Sequence, residues 1–319
     1  MKAVAFLDLL GFSSAVMRDT TEAMAMLQSY NSILHFGLIE KELHPSSGYE
    51  PILQELAKRN STESFDDFLP FSDSIFITSE NCSDFLLQLG SFLHKSFHFT
   101  AHFYAHPMNS QDPLETQSIG VEEDGHGGYK VVDSKTRIPP ALFRGGVAFG
   151  DVSAVNPATL KNKSRTNGYI LVGDAVVNAV GLEKKVKGPR IVFGQNVFEQ
   201  LNETARLYTR SLPEDSNLYE LLWPGMSYIL ENDMRNEFNH FTDMFFPVYN
   251  LWSYYKDDEV VSVQYERLIE LIVASALKLY SHKGLREFAL EKIGNAIGGM
   301  FTGAEMTKIF GYLNVFGNN

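Results

Sequence analysis

Cysteine is all but missing from this chain. Its 319 residues include a single one, Cys82, so no internal disulfide can form and the fold must rest on its core. Long apolar runs are missing too: none approaches the ~20 residues that cross a bilayer, and membrane insertion is not expected. Nor do the first residues show a basic segment followed by an apolar one of the secretory kind, and with the lone cysteine this leads us to expect a cytoplasmic protein. Basic side chains are in deficit, 27 Lys and Arg against 39 Asp and Glu, for a formal net charge of −12. DNA or RNA as the main partner needs clustered positive charge and is therefore not expected, whereas a mononucleotide held through a metal ion stays compatible. What the chain does have is 44% hydrophobic residues, enough for a sizeable core, and a length suited to one enlarged domain or a domain with an appendage.

The chain is organised around its first dozen residues. Ala3 to Leu7 form an apolar run rich in strand formers, Asp8 ends it, and Gly11 allows a tight turn before a helical segment. A strand-ending Asp is more often a turn former than a ligand. A second segment of the same kind changes the reading: Asp73 lies beside the apolar run Ile75 to Ile77, between Ser72 and Ser74, which are small enough for a hairpin turn. If the two strands pair, Asp8 and Asp73 converge, and two close carboxylates resist joint ionisation unless a cation lies between them. Hard divalent ions, Mg²⁺ or Mn²⁺, take such oxygen ligands, and backbone amides after Asp8, near a helix start, suit phosphate. Metal with phosphate points to nucleotide chemistry.

Along the chain, apolar residues at spacings of three and four over residues 14 to 43 predict a helix, followed by a loop region around a short helix near Ile52 to Lys58. Phe85 to His106 reads as a long helix carrying His94, His98, His102 and His106. Four-residue steps drift roughly 120° over that span, so only neighbours could share an ion, and the interleaved Phe residues favour packing over a zinc site. The polar segment 107–139 reads as a flexible insertion or hairpin; its glycines at 125, 127 and 128 lack the Gly-Lys-Ser/Thr ending of a phosphate loop. Strands are expected at Leu142 to Phe149, Tyr169 to Val172 and Pro189 to Gly194, with a helix from Asp174 to Lys185 between the last two. This order predicts an α+β layer of mostly antiparallel sheet, compatible with a ferredoxin-like core over residues 1–195. Residues 196–319 read as a helical extension of unknown role, with helices at Met226 to Phe238, Val261 to Ser281, Leu285 to Ile297 and Ala304 to Phe316, and with Glu266, Glu270 and Lys278 on a solvated face or a partner-helix surface.

Four segments in order resemble the motifs of class III nucleotide cyclases: Phe6 to Ser13 (FLDLLGFS), Phe71 to Asp73 (FSD), Phe143 to Asp151 (FRGGVAFGD) and Gly168 to Glu183 (GYILVGDAVVNAVGLE). They span roughly residues 1–195. The resemblance implies two divalent ions, Mn²⁺ or Mg²⁺, on Asp8, Asp73 and the Leu9 carbonyl, with phosphates on the amides of Leu10, Gly11, Phe12 and Ser13 and with Ser72 beside them. It also implies a head-to-tail homodimer, each site built from two copies.

The departures from that pattern are informative. The Asn and Arg that act on the transition state in adenylyl and guanylyl cyclases fall on Val177 and Gly181, which leaves Asn178, Lys184 and Lys185, and further off Lys187 and Arg190, as substitutes. The places that read a purine fall on Leu69 and Ile170, apolar residues that make no base-edge hydrogen bond. Gly173 to Arg190 then resembles the pyrimidine cyclases of the Pycsar anti-phage systems. That resemblance implies conversion of UTP or CTP to the 3′,5′-cyclic monophosphate and pyrophosphate, as a messenger for an effector protein, with Tyr49 or Tyr169 as the base-contacting tyrosine. The alternatives are a purine cyclase that reads its base otherwise and an inactive cyclase fold that binds nucleotide as a regulator.

Overall fold

The computed structural model describes residues 1–39, 51–105, 115–123, 125, 128–137, 139–155, 170–228, 230, 233–311 and 313. β1 (Lys2–Leu9) buries Ala3, Val4, Ala5, Leu7 and Leu9, the pattern of a central strand covered on both faces. Two helices follow, α1 (Phe12–Arg18) and α2 (Thr20–Ile39), where the apolar periodicity predicts one. Asp19 is the break. Its backbone is extended, and its side chain accepts from the Thr21 amide at 2.8 Å, the local bond that makes Asp a helix starter.

After α3 (Pro51–Asn60), β2 (Asp67–Phe71) and β3 (Ser74–Ser79) form a hairpin closed by Ser72 and Asp73, with Ser72 in the left-handed region at φ 56°. α4 (Cys82–Ala101) starts a turn earlier than its apolar pattern suggests, because the Asn81 side chain caps the Asp84 amide at 3.1 Å. β4 (Glu115–Glu123) and β5 (Tyr129–Arg137) pair with each other as a ribbon. There follow β6 (Phe143–Gly150), β7 (Ser153–Val155), β8 (Ile170–Val172), α5 (Asp174–Glu183), β9 (Ile191–Gly194) and the short α6 (Gln195–Phe198) and α7 (Glu203–Leu207). β10 (Thr209–Leu212) and β11 (Asp215–Leu221) come next, then α8 (Asn239–Tyr255), α9 (Glu259–His282), α10 (Arg286–Ile297) and α11 (Gly303–Phe310).

Seven strands make one sheet in the order β10-β11-β9-β6-β1-β3-β2, antiparallel throughout except for the parallel pair β6 and β9. The fold is thus α+β with a mixed, mostly antiparallel sheet. The sheet and the core continue through residue 195, the expected domain limit: one buried cluster holds Leu7 and Phe92 together with Trp223, Phe245 and Ile272. On the other sheet face, Val4 and Ala148 pack beneath Ala175 and Ala179 of α5. Gly146 makes that approach possible, since a Cβ there would strike the Ala179 carbonyl and Leu182.

The last third departs most from its periodicity. The helix expected at Met226 to Phe238 is a 3₁₀ turn at Trp223–Ser227 with turns beyond it, and the helix begins at Asn239 instead. The β10–β11 hairpin makes the extension less purely helical than predicted. Its period-two pattern is masked because Arg210 and Glu220 point into a buried ion network. Arg190 bonds Glu270 at 2.8 Å and pairs with Glu220 at 3.0 Å, while Arg210 reaches Glu220 and Glu270, each at 2.6 Å. Glu270, expected on a solvated face, is therefore buried between two guanidinium groups; Glu266 is buried beside Lys308 at 2.6 Å. Among the described residues no helix is long and apolar enough to cross a membrane.

Candidate functional site

Asp8 sits at the end of the central strand, in register with Ser74 of β3 on one side and Arg144 of β6 on the other. Asp73 follows at the hairpin turn, its carbonyl accepting from the Leu9 amide at 2.9 Å, so the turn is fastened to the end of β1. Beneath it the Tyr30 hydroxyl of α2 donates to the Ser74 carbonyl at 3.0 Å. Burial, and then the Asp73 carboxylate, push the Tyr30 hydroxyl well above its ordinary value.

Charge at this corner is unbalanced toward the negative. Burial, then Asp73, then Glu183 raise the Asp8 carboxyl above its ordinary value, against the Ser74 hydroxyl, which donates to it at 3.2 Å, and against Arg144. Glu183 ends α5 and is buried; Arg144 pairs closely with it and more loosely, at 3.6 Å, with Asp8. Two carboxylates at neighbouring strand ends, one of them held up by its own neighbours, form a site that a divalent cation would relieve. Ions of the Mg²⁺ type are commonly held by one or two carboxylates with substrate and water oxygens completing the shell, and the donor set Asp8, Asp73 and the Leu9 carbonyl fits that habit. Among the described residues no group of three or more His, Cys, Asp or Glu is arranged for a metal, so a caged zinc-type site is not offered.

Asp8, Arg144, Gly11 and Ser13 line a cavity of about 520 Å³. Its far wall comes from the last third of the chain: Tyr255 at the end of α8, Asp258 and Gln264. Asp258 is fixed there as the cap of α9, accepting from the Val260 and Val261 amides at 3.0 and 3.1 Å. Nothing in the residues between 196 and 319 announced this.

The expected site residues divide. Asp8, Leu9, Leu10, Gly11 and Ser13 line the cavity, Asp73 and Ser72 form the adjoining turn, and Phe12 opens α1. The Leu10 amide is a correction: it donates to the Leu142 carbonyl at 2.8 Å and is not free for phosphate, because the pairing with β6 continues one residue past the end of β1. The first amides of α1 follow Gly11, which takes φ 85°, and no side chain caps them. Leu69 is paired within the hairpin, and Ile170 is exposed on β8; neither lines the cavity. Asn178, Lys184 and Lys185 are exposed on and just after α5, also outside the cavity. Arg190, named as a possible source of charge, is locked in the ion network. Tyr49 and Tyr169 lie outside the described residues.

No protein-family model matches the chain, and no curated protein matches it. The reading of the site therefore stands on the geometry and the motifs.

The histidine row on α4 belongs elsewhere. His94 and His98 stack with ring centres 6.1 Å apart, His102, just past the helix end, lies tilted against His98 at 6.3 Å, and His94 is driven down to about 3 by burial, then by His98 and Arg59, which leaves it neutral. His106 lies outside the described residues. The residues missed from sequence are Arg144, Glu183 and Tyr30. The first two sit inside recognised motifs, but nothing local tells that residues 39 positions apart will meet.

Proposed function

We propose that this protein is a metal-dependent nucleotide cyclase acting on a pyrimidine nucleoside triphosphate, UTP or CTP, to give the 3′,5′-cyclic monophosphate and pyrophosphate. The observation that carries the reading is the meeting of Asp8 and Asp73 at adjacent antiparallel strand ends beside a cavity edged by the Gly11 turn. The sheet supports it: β6-β1-β3-β2 is the order that two interleaved split β-α-β units give, as in a ferredoxin-like core, and all its neighbours are antiparallel.

In this reading Asp8, Asp73 and the Leu9 carbonyl hold two divalent ions, Mn²⁺ or Mg²⁺. When bound, such ions ease deprotonation of the ribose 3′-hydroxyl and neutralise the pyrophosphate leaving group. The amides of Gly11, Phe12 and Ser13 donate to phosphate oxygens, and Ser74 keeps Asp8 oriented through its 3.2 Å hydrogen bond. Leu69 and Ile170 do not line the cavity of their own chain; brought to the base of a second copy's nucleotide in a homodimer, their apolar side chains would withhold the hydrogen bonds that a purine reader makes. Asn178, Lys184 and Lys185, which are exposed and do not line the cavity of their own chain, would serve the site of a second copy in a homodimer. The exposed apolar side chains Phe71, Ile170, Val172 and Val177 suit such a face. A role as messenger source for a defence effector rests on the motif resemblance alone.

The test is incubation of purified protein with each of the four ribonucleoside triphosphates and Mn²⁺, with products resolved by mass spectrometry. A cyclic pyrimidine nucleotide lost in both Asp8→Ala and Asp73→Ala is the expected result. A cyclic purine product would reassign the base, and no product from a protein that still binds nucleotide would make it a regulator.

A further inference from the structure

His98 and His102, with Lys95 one turn before them, line a second cavity of about 450 Å³ between α2, the end of α3 and α4. Among the described residues it shares no lining side chain with the cavity beside Asp8. Its walls are apolar: Ile33 of α2 and Phe92 of α4 are buried, and Phe99, two turns further along α4, stays 43% exposed. Its charge runs against that of the chain. The sequence carries 39 acidic side chains against 27 basic, yet the described lining holds Lys95 and two histidines and no Asp or Glu. The Lys95 ammonium is positioned by the Asn60 carbonyl, which accepts from it at 2.9 Å. Burial, and then His102, keep His98 below its ordinary value against the pull of Asp243, so at pH 7 its imidazole is neutral and offers one N–H. His102 turns its Nδ1 to the His98 carbonyl at 3.2 Å, which leaves His98 as the donor to the cavity. A cavity of this size with apolar walls and a few convergent polar groups has the make-up of a small-molecule site.

We propose that this cavity is a second binding site, for a small organic acid with an apolar body. The carboxylate sits on Lys95 and accepts from the His98 N–H, and the body lies between Ile33, Phe92 and Phe99. One ammonium and one neutral N–H match the two oxygens of a single carboxylate. The apolar part supplies affinity by leaving water, and the charged end fixes the orientation. The site stands apart from the nucleotide reading above.

The experiment titrates the full chain calorimetrically with octanoate and with 1-naphthoate, an aliphatic and an aromatic acid, each beside its uncharged alcohol, and thermal melting verifies that every variant folds. At least one acid is expected to bind one molecule per chain, about tenfold more tightly than its alcohol, and the better of the two tells which body the walls prefer. Lys95→Met keeps the stem and removes the charge; it is expected to weaken the acid about tenfold and leave the alcohol unchanged. Ser96→Leu places an isobutyl group in the cavity and is expected to abolish binding of acid and alcohol together. Loosened packing would weaken both ligands in Lys95→Met and cannot single out the acid. No saturable binding of either acid to the wild-type chain, equal binding of acid and alcohol, or full binding of the acid by a folded Lys95→Met or Ser96→Leu protein overturns the proposal, and none of these results touches the nucleotide reading.

Discussion

Glu270 is the most informative single position for the architecture, because it ties α9, and with it the far wall of the cavity, to the sheet. Its carboxylate is 1% exposed and lies between Arg190 at 2.8 Å and Arg210 at 2.6 Å. Glu270→Gln keeps the shape, removes the charge and turns an amide N–H₂ toward one guanidinium. Breaking one partner out of a buried pair costs about 3–5 kcal/mol, since the group left behind is uncompensated. Here both arginines keep Glu220, and Arg190 also keeps Glu214 at 2.9 Å, so the lower end, about 3 kcal/mol, is expected. At ~2–4 °C per kcal/mol for chains of this order of size, melting falls by roughly 6–12 °C. Urea denaturation at pH 7 measures the first figure and a thermal melt followed by circular dichroism the second. Because the network is buried, 1 M salt leaves the loss nearly unchanged. A loss below about 1 kcal/mol, or one that salt abolishes, would refute a network that holds α9 in place.

Other perturbations probe the corner itself. Gly146→Ala drives a methyl into the Ala179 carbonyl, so α5 must lift from β6 at a cost of about 1–3 kcal/mol, and Mn²⁺ binding falls as Glu183 and Arg144 shift; a calorimetric titration alongside a melt reads both. Asp8 behaves unusually with pH. Its carboxyl is raised in the fold, so between the ordinary carboxylate value and the raised one the folded chain binds more protons than the unfolded, and stability declines as pH rises through that window. Asp8→Asn is therefore expected to leave the metal-free protein as stable at pH 7 as wild type or more so, within about 1 kcal/mol, while abolishing Mn²⁺ binding; a clear loss of stability in a urea titration contradicts it. Tyr30→Phe removes the hydrogen bond under the turn and costs about 1 kcal/mol, with faster amide exchange at Ser72 to Ser74 as its signature. Asp258→Ala uncaps α9 for a similar loss of about 1 kcal/mol, seen by denaturation.

Where one local pattern dominates, sequence and structure agree. Ala3 to Leu7 is apolar and ends on Asp8, and it lies in the central strand. Ser72-Asp73 is a turn pair between two strand runs, and it closes the hairpin beside β1. The stripe of α9 predicts its helix to within a few residues. The failures share a cause as well. Asp19 divides one apolar stripe into α1 and α2 through a single side-chain hydrogen bond, which periodicity does not register. β10 and β11 are hidden because half-buried Arg210 and buried Glu220 occupy inward places that a hydrophobic pattern leaves for apolar residues.

By itself the sequence determined the elements that need only neighbours a few residues away, including the two strand ends that carry Asp8 and Asp73. Three things were decided by the tertiary structure alone: that Arg144 lies between Asp8 and Glu183, that the Leu10 amide is spent on Leu142, and that α8 and α9 wall the cavity. The reason is physical. A turn or an amphipathic stripe is set by local sterics and burial period, whereas the pairing of charges far apart in the chain depends on how closely α5 lies on β6 and α9 on the sheet, distances fixed by Gly146 and by the buried arginines acting together.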